Sequence, residues 1–385
     1  MNNFVFQNTT KLVFGKGQIA KLSELIPAGS KVMVTMGGGS IFKNGVYDQV
    51  VSALSGVDYV EFRGIEPNPE FETLMKAVAE AKSSGVNFFL AVGGGSVIDG
   101  TKFIATAMKY EGDPWEFMLD ESKAVDSLPL ASVLTLPATG SEMNCAAVVS
   151  RRERAEKFAF HNHKAQPVFS ILDPEAIFSL PKRQVSNGIV DTFAHTLEQY
   201  LTDGAERTMV MDRFAEGLML TLTTLASELL SEEGMSYDAA ANYMLTATMG
   251  LNGFVSMGTV QDWATHMIGH ELTALHGLDH GVTLAIVHPA LMDVMREEKK
   301  GKIVQFAERV FGITEGSDEE KIDGAISALE VFYRSVGMKT RLSEHSVGEE
   351  TINEVVKRFT ERGWKVGERG AVTPEKVEAI LRRAL

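Results

Sequence analysis

A chain of 385 residues is too long for one ordinary hydrophobic core, so we expect two or three domains. Its 37 basic and 51 acidic residues give a formal net charge of −14, which argues against nucleic acid and anionic membranes as partners, because both bind basic surfaces. The single cysteine, Cys145, excludes an intramolecular disulfide and indicates a reducing compartment, so we expect a cytoplasmic protein. The start of the chain has no basic segment leading into an apolar run, and no run of about 18 apolar residues occurs, so we expect neither a signal peptide nor a membrane span.

The first ~175 residues alternate between strand-like and helix-like patterns, which predicts a largely parallel sheet covered by helices on both faces. Strands are predicted over residues 31–36, 59–62, 87–92, 131–136 and 168–172, and helices over 47–54, 69–85 and 96–109. Before them, Phe4–Phe6 and Leu12–Phe14 alternate around Asn8-Thr9-Thr10, which predicts a β-hairpin. Because an exposed apolar edge strand promotes aggregation unless it is paired, this hairpin predicts a homodimer that joins the same strand of two subunits.

After Pro181 the pattern changes, because strand signals nearly vanish and long segments follow helical periodicity. Helices are predicted over residues 212–229, 239–250, 261–275 and 302–311. The sequence therefore predicts an α/β domain over residues 1–178 and an all-α domain over residues 179–385.

Two predicted strands of the first domain end in the same four residues, Gly37–Ser40 and Gly93–Ser96. Glycines allow the backbone to approach a phosphate closely, and the N-terminus of a following helix offers free N–H groups. The second loop leads directly into a helix and is the better pyrophosphate site, although a plain turn would explain either loop alone. A third loop, Leu136–Glu142, also follows a strand, and its hydroxyl groups could contact the base or ribose of a dinucleotide.

The first loop bears on the choice of dinucleotide. Enzymes specific for NAD usually place a carboxylate on the ribose 2′-hydroxyl group. Gly37–Ser40 contains no carboxylate and offers N–H donors and a hydroxyl group to a 2′-phosphate instead. The sequence therefore favours NADP(H) over NAD(H).

The second predicted domain contains an aspartate and several histidines, which are residue types that bind metal ions. Asp191 and His195 are four positions apart in a predicted helix and project from one face, and four histidines crowd into residues 266–280. A set of Asp191, His195, His266 and His280 would suit a borderline divalent ion such as Fe²⁺ or Zn²⁺ rather than Ca²⁺ or Mg²⁺. A polar contact between helices would account for the same residues.

The sequence resembles the iron-containing (group III) alcohol dehydrogenase family over essentially its whole length, and within it the branch of NADPH-dependent aldehyde reductases and butanol dehydrogenases. The motifs that carry the resemblance are Gly37–Ser40, Gly64–Pro69, Gly93–Asp99, Leu136–Glu142, Asp191 with His195, and the long string Gln261–His280. The resemblance implies a Rossmann-like nucleotide-binding domain followed by a helical metal domain, the architecture of dehydroquinate synthase, with the active site in the cleft between them.

The resemblance also implies roles for individual residues. The metal ligands would be Asp191, His195, His266 and His280, and His270 would serve the proton path. The pyrophosphate would bind at Gly94, Gly95 and Ser96 with Asp99 nearby, and the base and ribose at Thr135, Leu136, Thr139 and Ser141. The 2′-phosphate would bind at Gly38, Gly39 and Ser40, in the cofactor-binding loop that begins at Gly37. Lys157 would approach the cofactor.

The implied activity is metal-dependent hydride transfer between NADP(H) and an aldehyde/primary alcohol pair, mainly as aldehyde reduction on short-chain substrates. Enzymes that resemble glycerol dehydrogenase or dehydroquinate synthase share this fold and are the alternative. A metal-dependent hydrolase that merely binds a nucleotide is a candidate of a different class. The ligand set accepts Fe²⁺, Zn²⁺, Ni²⁺ or Mn²⁺, so availability decides which metal binds.

Overall fold

The computed structural model of the protein describes residues 1–202 and 208–385. These residues form two compact units. The sheet unit consists of Gln7–Pro181 and Met235–Thr248, and the helical unit consists of Met1–Phe6, Lys182–Gly234 and Met249–Leu385. Each unit thus includes a short segment from the other half of the chain. The domain boundary near residue 178, with domains over residues 1–178 and 179–385, therefore remains a prediction.

The secondary structure elements are numbered here in chain order. The strands are β1 Lys11–Phe14, β2 Lys31–Met36, β3 Asp58–Arg63, β4 Phe88–Gly94, β5 Leu130–Leu136, β6 Ala146–Arg151, β7 Glu156–His161 and β8 Phe169–Leu172. The α-helices are α1 Leu22–Leu25, α2 Val46–Ala53, α3 Phe71–Ser84, α4 Gly95–Ala107, α5 Trp115–Leu119, α6 Lys182–Tyr200, α7 Met209–Leu229, α8 Tyr237–Gly250, α9 Ala264–His276, α10 His280–Val294, α11 Lys300–Val310, α12 Asp318–Ser335, α13 Glu349–Glu361 and α14 Pro374–Arg383.

A six-stranded parallel sheet in the order β1-β8-β5-β4-β2-β3 forms the frame of the sheet unit. Its inner strands β8, β5, β4 and β2 are buried along almost their whole length. Continuous apolar segments such as Phe88–Val92 are typical of parallel strands that are covered on both faces. A parallel sheet unit with a helical second unit confirms the predicted fold class, and the predicted strand over residues 31–36 is β2 itself.

The antiparallel pair β6–β7 was not predicted from the sequence. Hairpin turns are usually recognised in a sequence by Gly or Asn, which adopt positive φ angles with little strain. Here the turn runs through Arg152–Arg154, and Ala155 takes the left-handed conformation with φ 48°. Arg151 therefore ends β6, and Arg152–Arg154 lie at the tip of a hairpin.

The predicted N-terminal hairpin is wrong. Phe4–Phe6 forms no strand, and β1 pairs in parallel with β8 instead. Between these segments, the Asn8 side chain accepts from the backbone N–H of Thr10 at 3.2 Å and donates to the carbonyl of Met143 at 2.8 Å, so this residue makes a local and a long-range contact without joining two paired strands. The alternation of apolar and polar residues could not reveal that β1 pairs with β8, which is distant in the sequence.

In the helical unit, α6 and α10 are buried along most of their length. Apolar residues of α9, α10, α13 and α14 share one core. Together α6, α9 and α10 carry the histidines and the aspartate that the sequence singled out. Within residues 1–202 and 208–385, every helix is too short or too polar to cross a membrane.

Candidate metal centre and nucleotide-binding loops

Helix α6 supplies the first two side chains of the candidate metal centre. Asp191 and His195 are one helical turn apart, and both are buried, with 4% of each residue exposed. A buried carboxylate requires compensation by a cation or by hydrogen bonds. The Asp191 carboxylate oxygen Oδ1 has no hydrogen-bond partner among the described residues, so it is suited to bind a cation.

Helices α9 and α10 supply the other two side chains. His266 lies in the first turn of α9, and His280 is the first residue of α10. Gly277 ends α9 with φ 66°, a left-handed conformation that glycine adopts without strain and that turns the chain back. This turn brings His280 close to His266, with 5.0 Å between the two ring centroids.

The structure brings the four residues Asp191, His195, His266 and His280 together, with one ligand atom of each within 4.8 Å of the others. From Asp191 Oδ1 it is 3.5 Å to His195 Nδ1, 3.5 Å to His280 Nε2 and 3.8 Å to His266 Nε2. Tetrahedral bonds of about 2.0–2.1 Å place neighbouring ligand atoms about 3.3 Å apart, so these separations are close to those of a metal site. His266 Nε2 is buried without a hydrogen-bond partner in the described part of the chain. The donor set and its geometry therefore fit one divalent ion.

The electrostatics of His266 also favour a cation. Burial lowers the pKa of His266, but the carboxylates of Glu198 and Asp191 outweigh burial and raise this pKa to about 9. Burial raises the pKa of Glu198, yet the neighbouring His266 more than compensates, and the net change is downward. The site thus stabilises positive charge, whether it is carried by a proton or by a metal ion.

Two supporting contacts were missed by the sequence analysis. The carboxylate of Glu198 forms a hydrogen bond with His266 Nδ1. The guanidinium group of Arg183 donates two hydrogen bonds, of 2.8 and 2.7 Å, to the carboxylate of Asp279, which precedes His280. Helical spacing could have indicated the first contact, because Glu198 lies seven positions after Asp191 and on the same face of α6.

His270 lies one turn beyond His266 on α9 and is also buried. Its ring centroid is 5.4 Å from that of His280 and 6.3 Å from that of His266. The structure therefore places His270 beside the four-residue cluster but not among the four ligand atoms.

All three glycine-containing loops follow neighbouring strands of the sheet. Gly37–Ser40 follows β2, Gly94–Ser96 joins β4 to α4, and the residues Thr135–Ser141 end β5 and continue beyond it. Because these strands are adjacent and parallel, the loops lie at one edge of the sheet, where α/β proteins bind nucleotides. Lys157 reaches this region, since its ammonium group donates to Asn68 Oδ1 at 2.8 Å and the backbone N–H of Asn68 donates to Ser96 Oγ at 3.4 Å.

Two glycines of the second loop are required by close packing. A Cβ atom at Gly94 would lie 2.9 Å from the Cβ of Leu136, and one at Gly95 would lie 3.0 Å from the Cβ of Thr139. Real Cβ atoms essentially never lie closer than 3.0 Å to another heavy atom, and at Gly95 the side-chain atoms of Thr139 beyond its Cβ would be closer still. A side chain at either position would therefore push the loops apart. The two loops therefore form one surface whose spacing depends on glycine.

Buried polar side chains hold the third loop in place. Ser141 donates to Asp99 Oδ1 at 2.5 Å, and the backbone N–H of Val148 donates to Asp99 Oδ2 at 3.0 Å. Lys102 donates to Ser141 Oγ at 2.9 Å and to the carbonyl of Ala146 at 2.7 Å. Burial raises the pKa of Asp99 and lowers that of Lys102 to about 8. Asp99 and Ser141, both predicted to bind cofactor, thus bind each other in this structure.

Comparisons with known proteins agree with the fold and the site. A family described as "Iron-containing alcohol dehydrogenase" matches residues 9–174, and the "Fe-containing alcohol dehydrogenase family, C-terminal" matches residues 185–385. The chain belongs to the iron-containing alcohol dehydrogenase family, which confirms the resemblance seen in the sequence.

Among individual proteins, the chain is 51% identical over 388 residues to the NADPH-dependent aldehyde reductase YqhD of Escherichia coli (strain K12), with 100% of both chains covered. It is 38% identical over 390 residues to the probable NADH-dependent butanol dehydrogenase 1 of Bacillus subtilis (strain 168), again with 100% of both chains covered. The crystal structure of YqhD from E. coli K-12 is similar to this structure with a TM-score of 0.97 at 49% identity, covering 100% of this chain and 99% of that one.

Proposed function

We propose that this protein is a metal-dependent oxidoreductase that transfers hydride between NADP(H) and an aldehyde/primary alcohol pair, mainly in the direction of aldehyde reduction. The observation that carries the proposal is the largely buried cluster of Asp191, His195, His266 and His280. The chain also has glycine-containing loops at one edge of a parallel sheet, where α/β proteins bind nucleotides. The name of the E. coli relative, an NADPH-dependent aldehyde reductase, supports the same activity.

When bound, NADP(H) supplies or accepts the hydride, and Fe²⁺ or Zn²⁺ at the four-residue cluster supplies Lewis acidity toward the substrate oxygen. One aspartate and three neutral histidines leave a divalent ion with net positive charge. Such a site stabilises an oxyanion more than a neutral carbonyl, so these residues lower the energy of the transition state more than that of the bound aldehyde.

His270 is proposed to carry the proton that the alkoxide needs. Imidazoles titrate near neutral pH, so a histidine can both hold a proton and release it under working conditions. Its ring lies next to that of His280, with the centroids 5.4 Å apart, which supports a role close to the reacting oxygen.

NADP(H) is proposed as the preferred cofactor because of the loop Gly37–Ser40, which has no carboxylate. A negative side chain there would repel a 2′-phosphate, whereas N–H groups and the Ser40 hydroxyl group can bind it. Family membership does not decide this point, since the B. subtilis relative is named as NADH-dependent. The pyrophosphate, base and ribose are proposed to bind at the loops after β4 and β5, with Lys157 nearby.

We also propose that the protein is cytoplasmic and forms a homodimer. The single cysteine supports a reducing compartment. Strand β1 lies at an edge of the six-stranded sheet, and an edge strand can pair with the same strand of a second subunit.

The activity is tested by following NADPH at 340 nm while the metal-loaded protein acts on a series of short aldehydes, with glycerol and a phosphate ester as alternative substrates. We expect NADPH oxidation with the aldehydes and little reaction in the reverse direction with glycerol and NADP⁺. Hydrolysis of the ester without any change in NADPH would overturn the proposal in favour of a hydrolase.

A further inference from the structure

Glu198 connects two parts of the candidate metal centre. It lies on α6 with only 2% of the residue exposed. One carboxylate oxygen, Oε2, forms a hydrogen bond with His266 Nδ1, and the other, Oε1, accepts a hydrogen bond of 2.6 Å from the backbone N–H of Thr265. We propose that Glu198 is a positioning residue that fixes the imidazole of His266 for metal binding, an inference that rests on the metal site of the proposed function.

The hydrogen bond of Glu198 determines which nitrogen of His266 is available. An imidazole that donates from Nδ1 to a carboxylate presents the lone pair of Nε2. In this structure Nε2 is the atom that faces Asp191, with 3.8 Å between His266 Nε2 and Asp191 Oδ1. Glu198 therefore selects the tautomer and ring orientation in which His266 can act as a ligand beside Asp191.

The same carboxylate holds the helix that carries His266. Thr265 is the second residue of α9, and its N–H group is one of those that a helix start leaves without an internal partner. By accepting this bond, Glu198 ties the first turn of α9 to α6, which carries Asp191 and His195. One side chain thus fixes the distance between the two helices that supply three of the four proposed ligands.

Charge supports the same conclusion. Among the four proposed ligands only Asp191 is a carboxylate, so together they offset one of the two positive charges of a divalent ion. Glu198 adds a second buried carboxylate, which acts through His266 and makes that imidazole a stronger electron donor. We therefore expect Glu198 to raise the affinity of the protein for the metal without touching it.

The test is metal binding by the full-length protein, measured without turnover. Zn²⁺ affinity is obtained by competition with a chromogenic chelator, and the visible spectrum of bound Co²⁺ reports the ligand geometry. In Glu198→Gln, which keeps the size but removes the charge, we expect Zn²⁺ affinity to fall by about 10–100-fold and the Co²⁺ bands to shift. The milder Glu198→Asp variant should give an intermediate affinity and serves if Glu198→Gln does not fold.

Glu216→Gln is the matched control, because Glu216 is also buried, with 3% exposed, but contacts Tyr200 and Arg213 rather than a proposed ligand. It should retain the wild-type affinity and Co²⁺ spectrum even if its melting temperature falls. Wild-type affinity and spectrum in the Glu198 variants would overturn the inference while leaving the proposed function intact. Failure of the wild-type protein to bind Zn²⁺ or Co²⁺ would overturn the proposed metal site itself, and this inference with it.

Discussion

Asp191 Oδ1 on α6 lies 3.5 Å from His280 Nε2 at the start of α10, although the sequence separates the two residues by three helices and their connections. Gly277 makes this contact possible by ending α9 so that the chain turns back at His280. The contact joins the only carboxylate of the cluster to its most exposed histidine, whose side chain is 22% exposed. The cluster is therefore most exposed on the side of His280.

The first prediction concerns cofactor preference. A Cβ atom added at Gly38 meets no atom of the described residues within 4 Å, so the loop has room for the first side-chain atom of Gly38→Asp. We expect wild type to have a larger kcat/KM with NADPH than with NADH. The variant should shift this ratio toward NADH by about 10-fold or more, equivalent to about 1.4 kcal/mol, because the carboxylate repels the 2′-phosphate. Gly38→Ala is the control for size, and a wild-type preference for NADH would refute our interpretation of the loop.

The second prediction concerns Lys102, which is fully buried and donates to Ser141, Asn144 and Ala146. Lys102→Met removes these three hydrogen bonds, and each acceptor left unpaired costs about 1–3 kcal/mol, so the substitution loosens the loop that is proposed to bind base and ribose. We expect KM for NADPH to rise more than kcat falls, as steady-state kinetics will measure. Lys302→Met removes another buried lysine, which pairs with Asp212 in the helical unit, and should leave KM for NADPH unchanged. Equal KM effects in both variants would point to general destabilisation.

The third prediction concerns stability at low pH. His288 is fully buried, neither ring nitrogen has a hydrogen-bond partner in the described part of the chain, and burial lowers its pKa to about 4. In the unfolded chain this histidine has a pKa of about 6.5, so it binds a proton that the folded protein does not. The free energy of unfolding therefore falls as the pH decreases from about 6.5 to about 4. One such group contributes at most about 1.4 kcal/mol per pH unit.

His288→Leu should therefore lose less stability than wild type between about pH 7 and about pH 5 in thermal unfolding followed by circular dichroism. The exposed residue His163 provides the control, and His163→Leu should retain the acid sensitivity of wild type. If His288→Leu were as acid-sensitive as wild type, His288 would not be the group responsible.

The fourth prediction concerns the assembly of subunits. Light scattering should give about twice the single-chain mass of 42.0 kDa, because β1 lies at an edge of the sheet and can pair across a two-fold axis. Removal of residues 1–14, which include β1, should yield monomer or aggregate. A wild-type mass near 42.0 kDa would refute the dimer, and an intact dimer after the deletion would place the interface elsewhere.

The sequence predicted the features that depend on local pattern. Apolar runs located the inner strands, and the string Gln261–His280 indicated the family. Together with the predicted helix that carries Asp191 and His195, this string also indicated the four residues that the structure brings together. Their role as ligands, like those of the cofactor residues, remains a prediction.

Other features depend on which elements pack together, and local pattern could not reveal them. The contact of Glu198 with His266 requires α6 to lie against α9. The hydrogen bond from Lys102 to Ser141 requires α4 to lie against the loop after β5. The predicted hairpin failed for the same reason, since β1 pairs with β8, which is distant in sequence.

The most direct test of the account combines metal content and turnover in wild type, His266→Ala and His276→Ala. His276 lies on the same helix as His266, but its Nε2 contacts Thr351 Oγ1, and it is outside the cluster. We predict about one divalent ion per chain in wild type and in His276→Ala, with NADPH-dependent aldehyde reduction in both. His266→Ala should lose the metal and about a thousandfold or more of its turnover, because Lewis-acid stabilisation contributes several kcal/mol to the transition state. Wild-type turnover in metal-free His266→Ala protein would contradict the account.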